Sequence, residues 1–111
     1  MKTQILKFGA ALALGLAATA VSAETPEKVT VCAACHGADG KALLPIYPNL
    51  AGQYANYLEH ALKEYRSGKR KNPIMGAQAA HLGDGDIEAL ARYFSEQPSP
   101  LYTPSVHGAE R

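Results

Sequence analysis

The residues with chemistry to offer gather in one short run, Cys32-Ala33-Ala34-Cys35-His36, which uses both cysteines of this 111-residue chain. Two thiols three positions apart lie on about one helical turn, from which both can add to the two vinyl groups along one edge of a porphyrin. The histidine that follows then lies beneath the ring, where a ring nitrogen can reach iron. C-x-x-C-H is therefore the pattern of a c-type haem attachment site. Three other chemistries compete for these residues. A redox-active dithiol of the thioredoxin kind needs a β-α-β setting, which is not seen here. A structural zinc site needs a fourth ligand and usually a second close-spaced pair, and no such pair stands elsewhere in the chain. A plain structural disulfide is the least demanding alternative.

An iron held from one side by His36 has a further axial position, and its occupant separates electron transfer from small-molecule binding. Beyond the first residue, Met75 is the chain's single methionine. It follows Pro73 in a stretch read as irregular loop, Gly68 to Gly76, and a thioether there is the expected second ligand. His60, His81 and His107 are the competing donors. His60 belongs to the polar side of its helix and His107 to the tail, which leaves His81 as the nearest substitute. A ligating imidazole normally donates its other N–H to a carbonyl or carboxylate, and the Pro48 carbonyl is the candidate acceptor for His36.

The elements that must position these groups read as helical, and no alternating run is long enough for a sheet. Lys2 and Lys7 precede an apolar stretch that ends in Val21-Ser22-Ala23, the form of a secretory signal cleaved after Ala23; it falls short of the roughly 20 apolar residues that span a bilayer. Its loss would remove two lysines and no acid from eleven basic and ten acidic residues, leaving nine against ten and a formal net charge of −1. That balance excludes the strongly basic character of a nucleic-acid-binding domain. Residues 24–97 form the expected domain, and residues 98–111, with Pro98, Pro100 and Pro104, an extended tail.

Thr25-Pro26-Glu27 reads as a helix start leading into Cys32. Tyr54, Tyr57, Leu58, Ala61, Leu62 and Tyr65 share one face of a second helix that Gly68 would end. Asp84 and Asp86 open a last helix with Ile87, Leu90, Ala91 and Phe94 on its buried stripe, ending before Pro98. The breaker-rich loops Gly37 to Gly52 and Gly68 to Gly76 are long for so small a domain and need something to wrap around. An apolar cofactor would fill that role and supply a core that a chain this short lacks.

Across the domain up to about Gln97 the chain resembles the class I cytochromes c, closest to the small bacterial c553, c5 and c4-like group. The resemblance rests on Cys32-Ala33-Ala34-Cys35-His36-Gly37, Pro48-Asn49-Leu50-Ala51-Gly52-Gln53, Arg70-Lys71-Asn72-Pro73-Ile74-Met75, and Leu82 to Phe94. It implies an all-α, orthogonal helix fold wrapped around one covalently attached haem c, with the N- and C-terminal helices crossing. His36 and Met75 would be the axial ligands and the Pro48 carbonyl would accept from His36. Gly37 would allow close approach at the haem, and Tyr54 and Tyr57 would pack near the cofactor. The function implied is a periplasmic one-electron carrier, a monomer that turns over no substrate of its own and binds donor and acceptor proteins, with no stable membrane insertion once the signal is gone. The alternatives are a haem c subunit of a larger oxidoreductase, and a peroxidase or gas sensor with an open iron site. The basic run Arg66, Lys69, Arg70 and Lys71 leads toward Met75 and would steer acidic partners, unless it is only a solvated loop.

Overall fold

The structure, a computed structural model, describes residues 25–102; the expected signal segment, His107 and the end of the tail lie outside them. Four α-helices follow in order, α1 Val29–His36, α2 Ala55–Ser67, α3 Pro73–Ala79 and α4 Asp84–Ser95, with no strand among the described residues. No helix among them is long and apolar enough to cross a membrane.

Helix α1 starts later than the Thr25-Pro26 signature predicts. The Pro26 carbonyl accepts the Val29 N–H at 3.0 Å in a turn, so Thr25 caps nothing and Lys28 becomes the N-cap. The helix stops at Gly37, whose φ of +79° favours glycine, and whose N–H donates to the Ala33 carbonyl at 3.0 Å. A Cβ at Gly37 would run into the Lys41 carbonyl, so the turn after the cysteine helix requires a glycine here.

Helix α2 ends as read, on left-handed Gly68. It buries Leu58 and Ala61, and its contact with α4 is the most extensive between helices of the described residues. In α4, Asp86 Oδ2 accepts the Gly83 N–H at 2.9 Å and the Lys28 Nζ at 2.7 Å, satisfying a helix-start donor and tying α4 to the start of α1. Val29 of α1, Leu58 of α2 and Leu90, Ala91 and Phe94 of α4 form one buried cluster, with Cys32 packed against it.

Helix α3 corrects the sequence reading of an irregular Gly68 to Gly76 loop. Asn72 Oδ1 accepts the N–H groups of both Ile74 and Met75 at 3.0 Å, and Pro73 takes the first helical position, where its missing N–H costs nothing. Met75 is thus presented by the first turn of a capped helix that packs on α2.

The long Gly37 to Gly52 loop is held from within. The Gly40 carbonyl accepts the N–H groups of Leu50 and Ala51 at 2.8 and 3.1 Å, and the Ala42 N–H donates to Asn49 Oδ1 at 2.8 Å. From α4, the Tyr93 hydroxyl donates to the Ala38 carbonyl at 2.9 Å.

Candidate cofactor site

Between α1, the 37–52 loop, α2 and α3 lies a hollow with two lobes, of about 730 and 170 Å³. Cys32, His36, Pro48, Leu62, Tyr65 and Met75 line both lobes, which therefore adjoin. Cys35 joins the lining of the larger lobe. The volume lies within the several hundred Å³ of a site that encloses a large organic ligand.

Among the described residues His36 is the one buried polar side chain, with 6% of its surface exposed. Its Nδ1 lies 2.9 Å from the Pro48 carbonyl oxygen, and because a carbonyl only accepts, Nδ1 carries the proton. That contact leaves Nε2 as the ring nitrogen a metal could take. Asn49 braces the acceptor on both sides: its Oδ1 takes the Ala42 N–H, and its carbonyl takes Gln53 Nε2 at 2.7 Å.

No disulfide joins Cys32 and Cys35. Burial pushes the Cys32 thiol above its ordinary pKa, the reverse of what activates a redox dithiol. No group of three or more His, Cys, Asp or Glu side chains that could hold a metal ion exists among the described residues. Two thiols, an oriented imidazole and a thioether in one largely apolar hollow are a donor set that fits haem c.

Tyr57 lines the smaller lobe, while Tyr54 stands 83% exposed as the N-cap of α2 and lines neither lobe. Tyr54 matched the helical face by spacing alone; with extended backbone at the cap, its side chain leaves that face. His60 points to solvent and pairs with Glu64, whereas His81 reaches the rim of the larger lobe. The sequence reading missed Tyr47, whose ring lies 6.1 Å from that of His36 at 58° and lines the larger lobe. It also missed Asn72 as the cap that presents Met75; the Asn-Pro pair was read as loop punctuation, although it is equally a helix-start signal.

The basic run is less free than its sequence suggests. Arg66 donates to Asp84 at 2.7 Å and to the Leu82 carbonyl at 2.9 Å, and Lys69 meets Glu64 at 3.3 Å. Among the described residues of that run, Arg70 and Lys71 alone have no carboxylate partner.

Comparison with known proteins agrees with this geometry. The family model for cytochrome c matches residues 27–97. Cytochrome c-554(548) of Halomonas halodenitrificans is 50% identical over 74 residues, covering 64% of this chain and 89% of that protein. The thiosulfate dehydrogenase electron acceptor of Stutzerimonas stutzeri is 43% identical over 70 residues, 62% of this chain and 32% of that protein. The crystal structure of reduced recombinant cytochrome c4 from Pseudomonas stutzeri superposes with a TM-score of 0.57 at 38% identity, covering 60% of this chain and 38% of that one. The chain thus spans nearly all of the first relative and about a third of the other two.

A helical fold closed around a hollow that presents C-x-x-C-H defines a class I c-type cytochrome. The chain belongs to the cytochrome c family, in its c4-like group, and is an electron carrier with covalently attached haem c.

Proposed function

We propose that this chain is a periplasmic one-electron shuttle in which Cys32 and Cys35 carry the haem, His36 and Met75 bind its iron, and residues 1–23 are the export signal. The observation that carries the reading is the His36 imidazole, buried with Nδ1 committed to the Pro48 carbonyl, in the hollow that Met75 and both cysteines line. Haem c supplies the couple between ferrous and ferric iron. The chain's part is to keep both states in nearly one geometry, which the Pro48 contact does for His36 and the Asn72 cap does for Met75. A thioether ligand raises the potential relative to two histidines.

Donor and acceptor are proteins. One relative is named as an electron acceptor of thiosulfate dehydrogenase, and a dehydrogenase of that kind is the donor class proposed for this chain. With Arg66 and Lys69 paired, long-range steering by the basic run falls to Arg70 and Lys71. Leu101 and Tyr102, 72% and 83% exposed at the start of the tail, favour a second reading, in which the tail docks the chain as a subunit of a larger oxidoreductase. Size-exclusion of the protein from its native source separates the two, since a shuttle elutes as a small monomer.

Optical spectra of both redox states test the ligation. A weak near-infrared band from sulfur to ferric iron, present in the mature protein and lost in Met75→Ala, is the expected result. A mature protein without that band refutes methionine ligation, and a colourless one refutes the whole reading.

A further inference from the structure

Leu43, Leu44, Pro45 and Ile46 form an exposed apolar run in the loop after α1, and Tyr47 alone among residues 43–47 is half-buried. A short turn sets it up, in which the Tyr47 N–H donates to the Leu44 carbonyl at 3.1 Å. Two hydrogen bonds then tie the loop to the end of α1. The Leu43 N–H donates to the Cys35 carbonyl at 3.3 Å, and His36 Nδ1 donates to the Pro48 carbonyl at 2.9 Å. Tyr47 lies between these ties in the chain and lines the larger lobe of the hollow with Cys35 and His36. Its ring centroid is 6.1 Å from that of His36, at 58°, within the range of a tilted aromatic pair. Its phenol is held above the ordinary tyrosine pKa, first of all by a hydrogen bond with the Cys35 side chain.

The Pro48 carbonyl fixes one atom of the His36 ring, and a single hydrogen bond tolerates rocking of the ring plane about that point. A second ring alongside limits the rocking, and Tyr47 is the one aromatic ring paired with His36 among the described residues. That ring needs an anchor of its own, which the Cys35 sulfur supplies. Once Cys35 Sγ is bonded to a vinyl carbon of haem it has no proton to give. The phenol O–H then donates and the sulfur accepts, as a thioether weakly does. Cys35 and His36 are chain neighbours, so the anchored hydroxyl and the packed ring act on the same turn of helix.

We propose that Tyr47 is a positioning residue for the iron ligand: its ring sets the plane of the His36 imidazole, and its hydroxyl, on Cys35 Sγ, keeps that ring in place. This rests on the reading that His36 binds the iron of haem c. The plane of an axial imidazole decides which iron orbitals it overlaps, and hence how the unpaired spin of ferric iron spreads over the porphyrin.

The test uses the mature ferric holoprotein and its Tyr47→Leu, Tyr47→Phe and Leu44→Ala variants. They are compared by proton NMR of the haem methyl groups, whose paramagnetic shifts follow the ligand planes. Tyr47→Leu removes the ring and is expected to shift these resonances and change their spread, with haem content and the near-infrared sulfur band unchanged. Tyr47→Phe, which keeps the ring and loses its anchor, is expected to fall between. Leu44→Ala trims an exposed side chain of the same loop that lines neither lobe, and should keep the resonances of the unsubstituted protein. Should Tyr47→Leu not mature, Tyr47→Phe carries the test, with a smaller shift in the same direction. Resonances equal to those of the unsubstituted protein, in Tyr47→Leu or in Tyr47→Phe where that variant carries the test, would overturn the proposal even if stability fell. An equal shift in Leu44→Ala would overturn it as well. Failure of the underlying reading looks different: haem is missing, or its ferric iron lacks an imidazole ligand, before any substitution at Tyr47.

Discussion

Replacing Asn72 by alanine tests how Met75, the proposed iron ligand, is held. Asn72 Oδ1 receives two helix-start N–H groups, one of them Met75's own, and alanine leaves both without that acceptor. Such a loss costs about 1 kcal/mol at an ordinary N-cap. Helix α3 has seven residues and buries only Ala79, so little packing makes up the difference and the cost falls on local opening of this helix. At RT of about 0.59 kcal/mol, 1 kcal/mol is about a fivefold increase in the fraction with Met75 detached. The assay is titration of the ferric protein with imidazole, which binds once the thioether has left, followed by loss of the near-infrared sulfur band. Asn72→Ala is expected to take up imidazole at about fivefold lower concentration, and Asn72→Asp, which keeps a capping oxygen, to stay close to the unsubstituted protein. If Asn72→Ala instead bound imidazole with unchanged affinity while losing global stability, the cap would serve the fold and not the ligand.

Other perturbations probe the frame around the hollow. Gly40→Ala would place a Cβ 2.7 Å from the Ala51 nitrogen and 2.9 Å from Phe94 Cδ1, at a φ of +76°. A loss of about 2 kcal/mol or more is expected in urea unfolding of the holoprotein. Gly85 in α4 faces open space, so Gly85→Ala should raise stability by about 0.5–1 kcal/mol in the same assay. The Arg66 hydrogen bond holds Asp84 below the ordinary carboxylate pKa, and Lys28 with the Gly83 N–H does the same for Asp86. A carboxyl whose folded pKa is depressed adds stability above its unfolded pKa of about 3.9 and loses it as pH falls through the folded value. Acid unfolding below about pH 4 should therefore be shallower in Asp84→Asn and Asp86→Asn, followed by circular dichroism.

Local chemistry made several parts of this protein readable in advance. The cysteine-histidine run needs only one helical turn to present its three groups, the 3.6-residue stripes of α2 and α4 announce their buried faces, and Gly68 ends α2 because a left-handed residue there suits glycine. Those signals act over a few residues, so tertiary context had little to change. Where local signals conflicted, reading failed. Thr25-Pro26 is a sound helix start that the Pro26–Val29 turn pre-empts, and Asn72-Pro73 is both a breaker and a cap.

What lay beyond the sequence is the set of contacts between residues far apart in the chain. Composition and spacing determined that a haem chain of helices was present, and they named Cys32, Cys35 and His36. Only the tertiary structure decided that His36 Nδ1 meets the Pro48 carbonyl in this chain, that Tyr54 leaves the hollow while Tyr57 stays, and that Arg66 is spent on Asp84 while Arg70 meets the Tyr57 hydroxyl. The reason is physical: residue type sets what a side chain can bond to, whereas its partner depends on where loops and helices place the competing donors and acceptors.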